Sequence, residues 1–144
     1  DILEAVIGLP SNLFFGTGIP AAIIIFNREK KNKEKVLFID ASKDFVAGKP
    51  RNSLGENHIN HIVDVFTDFH DNQKDAGIVE DKFAYIATLE EIKENDYNLN
   101  IPRYVDTYEE EAEIDLTEVQ QKIEQLQSEL AEVQKQMDEY LKLF

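Results

Sequence analysis

The sequence predicts an α/β fold that ends in a long coiled-coil-type helix. Three observations predict it. Three apolar runs of strand length open the chain: Ile2–Leu9, Ala21–Phe26 and Val36–Ile39. A stretch with apolar steps of three and four, Ile59, Ile62, Val63, Phe66 and Phe69, follows them. From Leu116 onward the apolar residues repeat every seven.

The three runs are rich in Ile, Val, Leu and Phe, and turn residues bound each one. Strands apolar on both faces suit a sheet buried between two layers. A buried sheet needs neighbours, and the chain opens at Asp1 with no Met and no helix ahead of the first run. The expectation is the C-terminal piece of a larger α/β protein.

Ser11 to Pro20 joins the first two strands, and Gly16, Gly18 and Pro20 mark it as a backbone-shaped loop. Asn27 to Lys35 joins the second and third, with five basic and two acidic residues. It reads as a long exposed hairpin tip, either a solvated turn or a phosphate contact. Ser42 to Asn52 is a loop carrying Gly48, Pro50 and the cations Lys43, Lys49 and Arg51.

Ser53-Leu54-Gly55-Glu56 has capping-box spacing and should start a helix that runs to about His70. Gly77 is a turn position. Phe83–Ala87 reads as a short strand, and Thr88-Leu89-Glu90-Glu91 as the cap of a short helix to about Glu94. Asn95-Asp96 breaks that helix. Tyr97, Leu99 and Ile101 alternate as a strand would, with Pro102 limiting its pairing. The predicted units are 1–54, closing strands of a larger sheet; 55–107, a helical and short-strand extension; 108–115, an acidic connector; and 116–144, a helix for partner docking.

The seam of that helix is Leu116, Val119, Ile123, Leu126, Leu130, Val133, Met137, Tyr140 and Phe144. The steps alternate between three and four over four heptads, with no Gly or Pro inside. Asp115 with Glu118 can cap its start. At about 1.5 Å per residue the helix would span roughly 43 Å. A lone helix with so narrow an apolar stripe is marginal in water and asks for a partner helix. Folding back on Ser53–His70 is the alternative, but that helix is too short to cover the seam.

Composition narrows the chemistry. There is no Cys, which excludes disulfides, thiolate zinc sites and a Cys nucleophile, and is compatible with the cytoplasm. No run of eighteen apolar residues and no signal peptide occur, so a soluble chain with no membrane partner is expected. His58, His61 and His70 lie on the predicted helix. The first two could share a metal by spacing, but a solvated polar face is the favoured reading, with no metal expected. The net charge of −14 argues at first against nucleic acid. Residues 1–60 nevertheless carry +1 and residues 61–144 carry −15, so any DNA contact should come from the first part. Glu90-Glu91 and Glu109-Glu110-Glu111 sit in polar surroundings with no reason for shifted acidity. Gly16-Thr17-Gly18 lacks the pattern of a phosphate loop.

Three segments in order carry a family resemblance. They are LEAVIGLPSNLFFGTGIPAAIIIFNR; then VLFIDAS with Phe45 and GKPRN; then FAYIATLEEIKENDYNLNIPRYVDT. From about Ile2 to Thr107 the chain resembles the closing part of the adenine-specific DNA methyltransferase (modification) subunit of type I restriction–modification systems. The resemblance implies the closing strands of a Rossmann-like class I methyltransferase sheet. It implies methyl transfer from S-adenosylmethionine to adenine, within a site chosen by a separate specificity subunit. The family's donor loop and its Asn-Pro-Pro-aromatic catalytic motif are absent from this sequence. The resemblance places both upstream of Asp1, so no catalytic residue is expected here and the piece alone should be inactive.

It further implies that an aromatic from the loop before the penultimate strand stacks on the extruded adenine. Phe15 fits that role best and Phe14 second; the alternative is that both plug a strand end. Arg28, Lys30, Lys31, Lys49 and Arg51 are the candidates for DNA backbone contacts. The family's C-terminal helix is expected to dock on the specificity subunit, two modification subunits to one, or to self-associate in isolation. A reading from another class also remains: a non-enzymatic coiled-coil adaptor that homodimerises through the seam.

Overall fold

A computed structural model describes residues 2–72, 74–107 and 116–141. The chain forms two compact units, Asp1–Tyr108 and Glu109–Phe144.

The first unit is built on strands β1 (Leu3–Gly8), β2 (Ala22–Phe26), β3 (Lys35–Asp40), β4 (Gly77–Glu80) and β5 (Ala84–Thr88). They form one sheet in the order β2-β1-β3-β5-β4. β1 and β3 run parallel, and every other neighbouring pair is antiparallel. This is a mixed α/β architecture. The central strands β1 and β3 are buried on both faces through Ala5–Ile7 and Val36–Ile39.

Helix α1 (Glu56–Asp71) covers one face. Its Ile62 and Phe69 pack in a cluster with Ala5, Ile7, Leu37, Ile39 and Ile86. The opposite face is covered by helix α2 (Leu89–Glu94) and the segment after it, through Ile92, Tyr104 and Val105 against Val6, Val36, Phe38 and Ala87. Phe38 and Tyr104 stack with ring centroids 3.9 Å apart. A side chain on Gly8 would stand 2.7 Å from Ile101 Cδ1, so glycine lets the covering segment sit close to β1.

Several expectations are corrected. The link between β2 and β3 is not a hairpin tip, because β1 lies between those strands. The 27–34 segment instead crosses the start of β1. Asn27 N–H donates to the Ile2 carbonyl, and the Lys30 ammonium donates to the Leu3 carbonyl. β2 is not buried on both faces: Ile23, Ile24 and Phe26 are 47%, 48% and 64% exposed, for it is the edge strand. The α1 cap is Gly55, not Ser53; Gly55 N–H donates to His58 Nδ1, while Ser53 is bridged to Val46.

Ile59 and Val63 of α1 are exposed, because they lie about 60° and 100° round the helix from Ile62. Tyr97–Ile101 is not a strand. Asp96 and Tyr97 both take left-handed backbone, and the chain then enters a 3₁₀ turn at Ile101–Arg103. β4 was not expected at all. The Thr88 cap holds as read, its hydroxyl accepting from Glu91 N–H at 3.1 Å.

The second unit contains helix α3 (Leu116–Leu141). The connector 108–115 and Phe144 lie outside the described residues, as do the side chains of Leu116, Val119 and Tyr140. No helix among the described residues is long and apolar enough to cross a membrane.

Candidate nucleic-acid interface

β1 and β3 run parallel and end together, and two loops leave the sheet at that end. The first, residues 9–21, is closed at its neck by Leu9 N–H donating to the Ala21 carbonyl at 2.8 Å. Asn12 and Gly16 bend it through positive φ, 57° and 76°, and the Thr17 hydroxyl accepts from Ile19 N–H at 3.2 Å. The loop lifts Phe14, Phe15 and Ile19 into solvent, 58%, 74% and 73% exposed. Neither Phe plugs the strand end.

The second loop, residues 41–55, leans on the first. Asn52 N–H donates to the Asn12 carbonyl at 2.8 Å, and Asn52 Nδ2 donates to the Ser11 carbonyl at 3.0 Å. Arg51 Nη1 reaches the Leu13 carbonyl at 3.4 Å, and the guanidinium stands 4.7 Å over the Phe15 ring. Lys49 is exposed on the same loop. The structure therefore brings Arg51 to Phe15, with Phe14 beside Phe15 in the chain and Lys49 two residues before Arg51.

It does not bring the crossover cations to them. Arg28, Lys30 and Lys31 lie at the opposite end of β1, about 20 Å away at the usual rise of a six-residue strand. Lys31 is 3.7 Å from Asp71 and exposed. Lys30 is only 2% exposed and drops out as a phosphate contact, its ammonium being turned inward.

A cavity of about 510 Å³ opens beside Gly8, Ala22, Ile24 and Ile101. Its lining is mostly apolar, and the Asp40 carboxylate at its edge is engaged by Ser42 N–H at 2.9 Å. No Gly-rich loop joins a strand to a helix among the described residues. The residues present do not fit an S-adenosylmethionine site, and none is assigned to this chain.

The histidines do not form a solvated polar face. His58 serves the α1 cap. His70 Nδ1 lies 2.8 Å from Glu4 Oε1. His61 stacks on Phe83 at 4.0 Å and sits between Glu80, 2.9 Å from Nε2, and Asp44, 3.6 Å from Nδ1. No group of side chains suited to a metal ion occurs among the described residues.

The Glu80 hydrogen bond raises the His61 pKa, against partial burial and with the Glu80 and Asp44 charges adding to it. The folded-state value therefore exceeds the unfolded one. The stabilisation is complete below the unfolded imidazole value of about 6.5 and is lost as pH rises through the raised value. Melting temperature is thus expected to fall as pH rises above about 6.5, and the fall should shrink in His61→Gln. An equal slope in the two proteins would show that His61 is not its source.

Sequence reasoning missed the Asn52 brace and the Glu4–His70 pair. Ser11, Asn12 and Asn52 were legible only as turn residues, since their partners lie about forty positions away.

Comparison with known proteins bears on this surface. Residues 1–113 match the family model described as N-6 DNA methylase. The chain is 35% identical over 137 residues to the type I restriction enzyme MjaVIII methylase subunit of Methanocaldococcus jannaschii, covering 92% of this chain and 22% of that protein. It is 41% identical over 114 residues to the HindI methylase subunit of Haemophilus influenzae, covering 77% and 25%. Among solved structures, the type I restriction–modification methyltransferase subunit from Streptococcus thermophilus superposes with a TM-score of 0.63 at 48% identity, covering 74% of this chain and 21% of that one. The chain thus spans about a fifth of the length of the first relative it matches.

Proposed function

The chain belongs to the N-6 DNA methylase family, and on that premise we propose that it is the closing part of a type I restriction–modification methyltransferase subunit. The intact subunit transfers a methyl group from S-adenosylmethionine to adenine in DNA, at a site chosen by a specificity subunit, in the cytoplasm. This segment supplies the loop on which the extruded adenine stacks, a cationic neighbour at Lys49, and a docking helix at 116–144. The methyl-donor site belongs to the rest of the protein.

The observation that carries the reading is the exposed Phe14-Phe15 pair on a braced loop at the end of the sheet. An enzyme acting on a base inside a duplex has to extrude it, and the extruded base needs an aromatic or apolar face to stack on. A rigidly held, solvent-facing Phe15 offers such a face. The adaptor reading has less support, because the family match covers the whole α/β unit, which an adaptor working through its helix would not need.

Phe15→Ala in the full-length subunit, assembled with its specificity subunit, should slow methylation roughly 5- to 150-fold, the equivalent of about 1–3 kcal/mol of stacking. Duplex binding should stay close to wild type. On a duplex with an abasic site in place of the target adenine, the mutant and wild type should bind alike. Wild-type turnover by Phe15→Ala would remove Phe15 from the site and pass the test to Phe14.

A further inference from the structure

We propose that Arg51 and Asn52 are positioning residues that fix the Phe15 ring, with one face covered by the guanidinium and the other left for the base; this rests on the stacking role given to Phe15 above.

Phe15 is 74% exposed on a loop between two strands. Without a restraint such a ring would move among rotamers, and ordering it on each turnover would weaken stacking. The restraint present is specific. Asn52 holds the main chain of residues 11 and 12 with two hydrogen bonds, and Arg51 reaches the carbonyl of residue 13. The planar guanidinium then lies over the ring that follows two residues later. A flat, delocalised cation can lie over a ring and donate to a carbonyl from one rigid fork, a geometry that a compact ammonium on a flexible stem holds less well.

The bracing loop is itself pinned. Val46 and Ser53 exchange two backbone hydrogen bonds at 2.7 and 3.0 Å, closing its ends. Inside it, a Cβ on Gly48 would stand 2.3 Å from the Arg51 carbonyl oxygen. That close approach to backbone explains the glycine and fixes where Arg51 leaves the chain. The inference changes the role read from charge alone. Arg51 acts through Phe15, which leaves Lys49, not Arg51, as the candidate for a backbone phosphate.

The test uses the full-length subunit with its specificity subunit and two duplexes, one with the target adenine for turnover and one with 2-aminopurine in its place for fluorescence. Arg51→Lys keeps the charge and lies on the surface, so the fold should tolerate it. Expected are a kcat about two- to fivefold lower, the size of an exposed cation–π contact, an unchanged KM for DNA, and a changed 2-aminopurine fluorescence on binding. The salt dependence of DNA binding should match wild type. Asn52→Ala should act in the same direction, and the Phe15→Ala/Arg51→Lys double mutant should be no slower than Phe15→Ala.

If the two single effects multiply, Arg51 does not work through Phe15 and the inference fails while the stacking role stands. If Arg51→Lys behaves as wild type while Arg51→Gln weakens binding and flattens its salt dependence, Arg51 is a phosphate contact and the inference fails. If Phe15→Ala is itself silent, the stacking role fails and the brace with it.

Discussion

Replacing Leu126 and Leu130 together with Asp is expected to abolish assembly with the specificity subunit while leaving the Asp1–Tyr108 unit folded. Ile123, Leu126, Leu130, Val133 and Met137 of α3 are 49–61% exposed, an apolar row at steps of three and four on a helix otherwise rich in Glu, Gln and Lys. A row with that period fits the left-handed packing of helices at a shallow angle. Burying each aliphatic on a partner would contribute about 1.5–3 kcal/mol. Two carboxylates at the centre of the row would remove two such terms and leave charges without partners in an apolar seam.

The measurement is sedimentation with and without the partner subunit, paired with thermal melting of this chain. A double mutant that still assembles would place the docking surface elsewhere. One that unfolds throughout would make α3 part of a common core. A wild-type chain that dimerises tightly and ignores the specificity subunit would favour the adaptor reading.

Legibility in the sequence followed the range of each interaction. β1, β2, β3 and β5 could be read because three to six consecutive apolar residues between turn signals admit few alternatives. β4 could not, since Gly77–Glu80 has only two apolar residues and pairs on one side alone. Alternation at Tyr97, Leu99 and Ile101 misled because the same spacing arises when an irregular segment lays its apolar side chains on a core; Leu99 and Ile101 do pack on the cluster around Val6 and Phe38. The order of strands lay beyond local pattern. Placing β1 between β2 and β3 turned an expected hairpin into a crossover, and with it changed the meaning of every cation between them.

The site divides in the same way. Phe14 and Phe15 stood out by type and by resemblance, but type does not say whether a ring points outward. Arg51 was legible as a charge near a turn, whereas its place over Phe15 depends on two loops meeting at one end of the sheet. Charge counting treats every lysine as solvated, and for Lys30 that assumption fails.

Lys30→Ala is accordingly expected to destabilise this chain by about 1.5–3 kcal/mol, the size of a hydrogen bond from a charged group and more than loss of a surface lysine. Lys30 and Glu4 are 2% and 3% exposed. The ammonium donates to the Leu3 carbonyl, and Glu4 also meets His70 at 2.8 Å. Burial lowers the Lys30 pKa and the Glu4 charge opposes that shift. The pair sits where the chain crosses β1. Next to it Asn32 Nδ2 donates to the Phe69 carbonyl at 2.8 Å, tying the crossover to the end of α1.

Removing Lys30 alone takes a donor from the Leu3 carbonyl and a nearby positive charge from the buried Glu4, which keeps His70. Replacing both, as Lys30→Met with Glu4→Gln, removes the charges together and should recover most of the loss, with a coupling energy of about 1–3 kcal/mol in the double-mutant cycle. Urea unfolding of the four proteins measures it. If Lys30→Ala costs less than about 1 kcal/mol, a value typical of exposed pairs, the ammonium is solvated in the folded chain. Lys30 would then return to the candidates for a backbone phosphate contact.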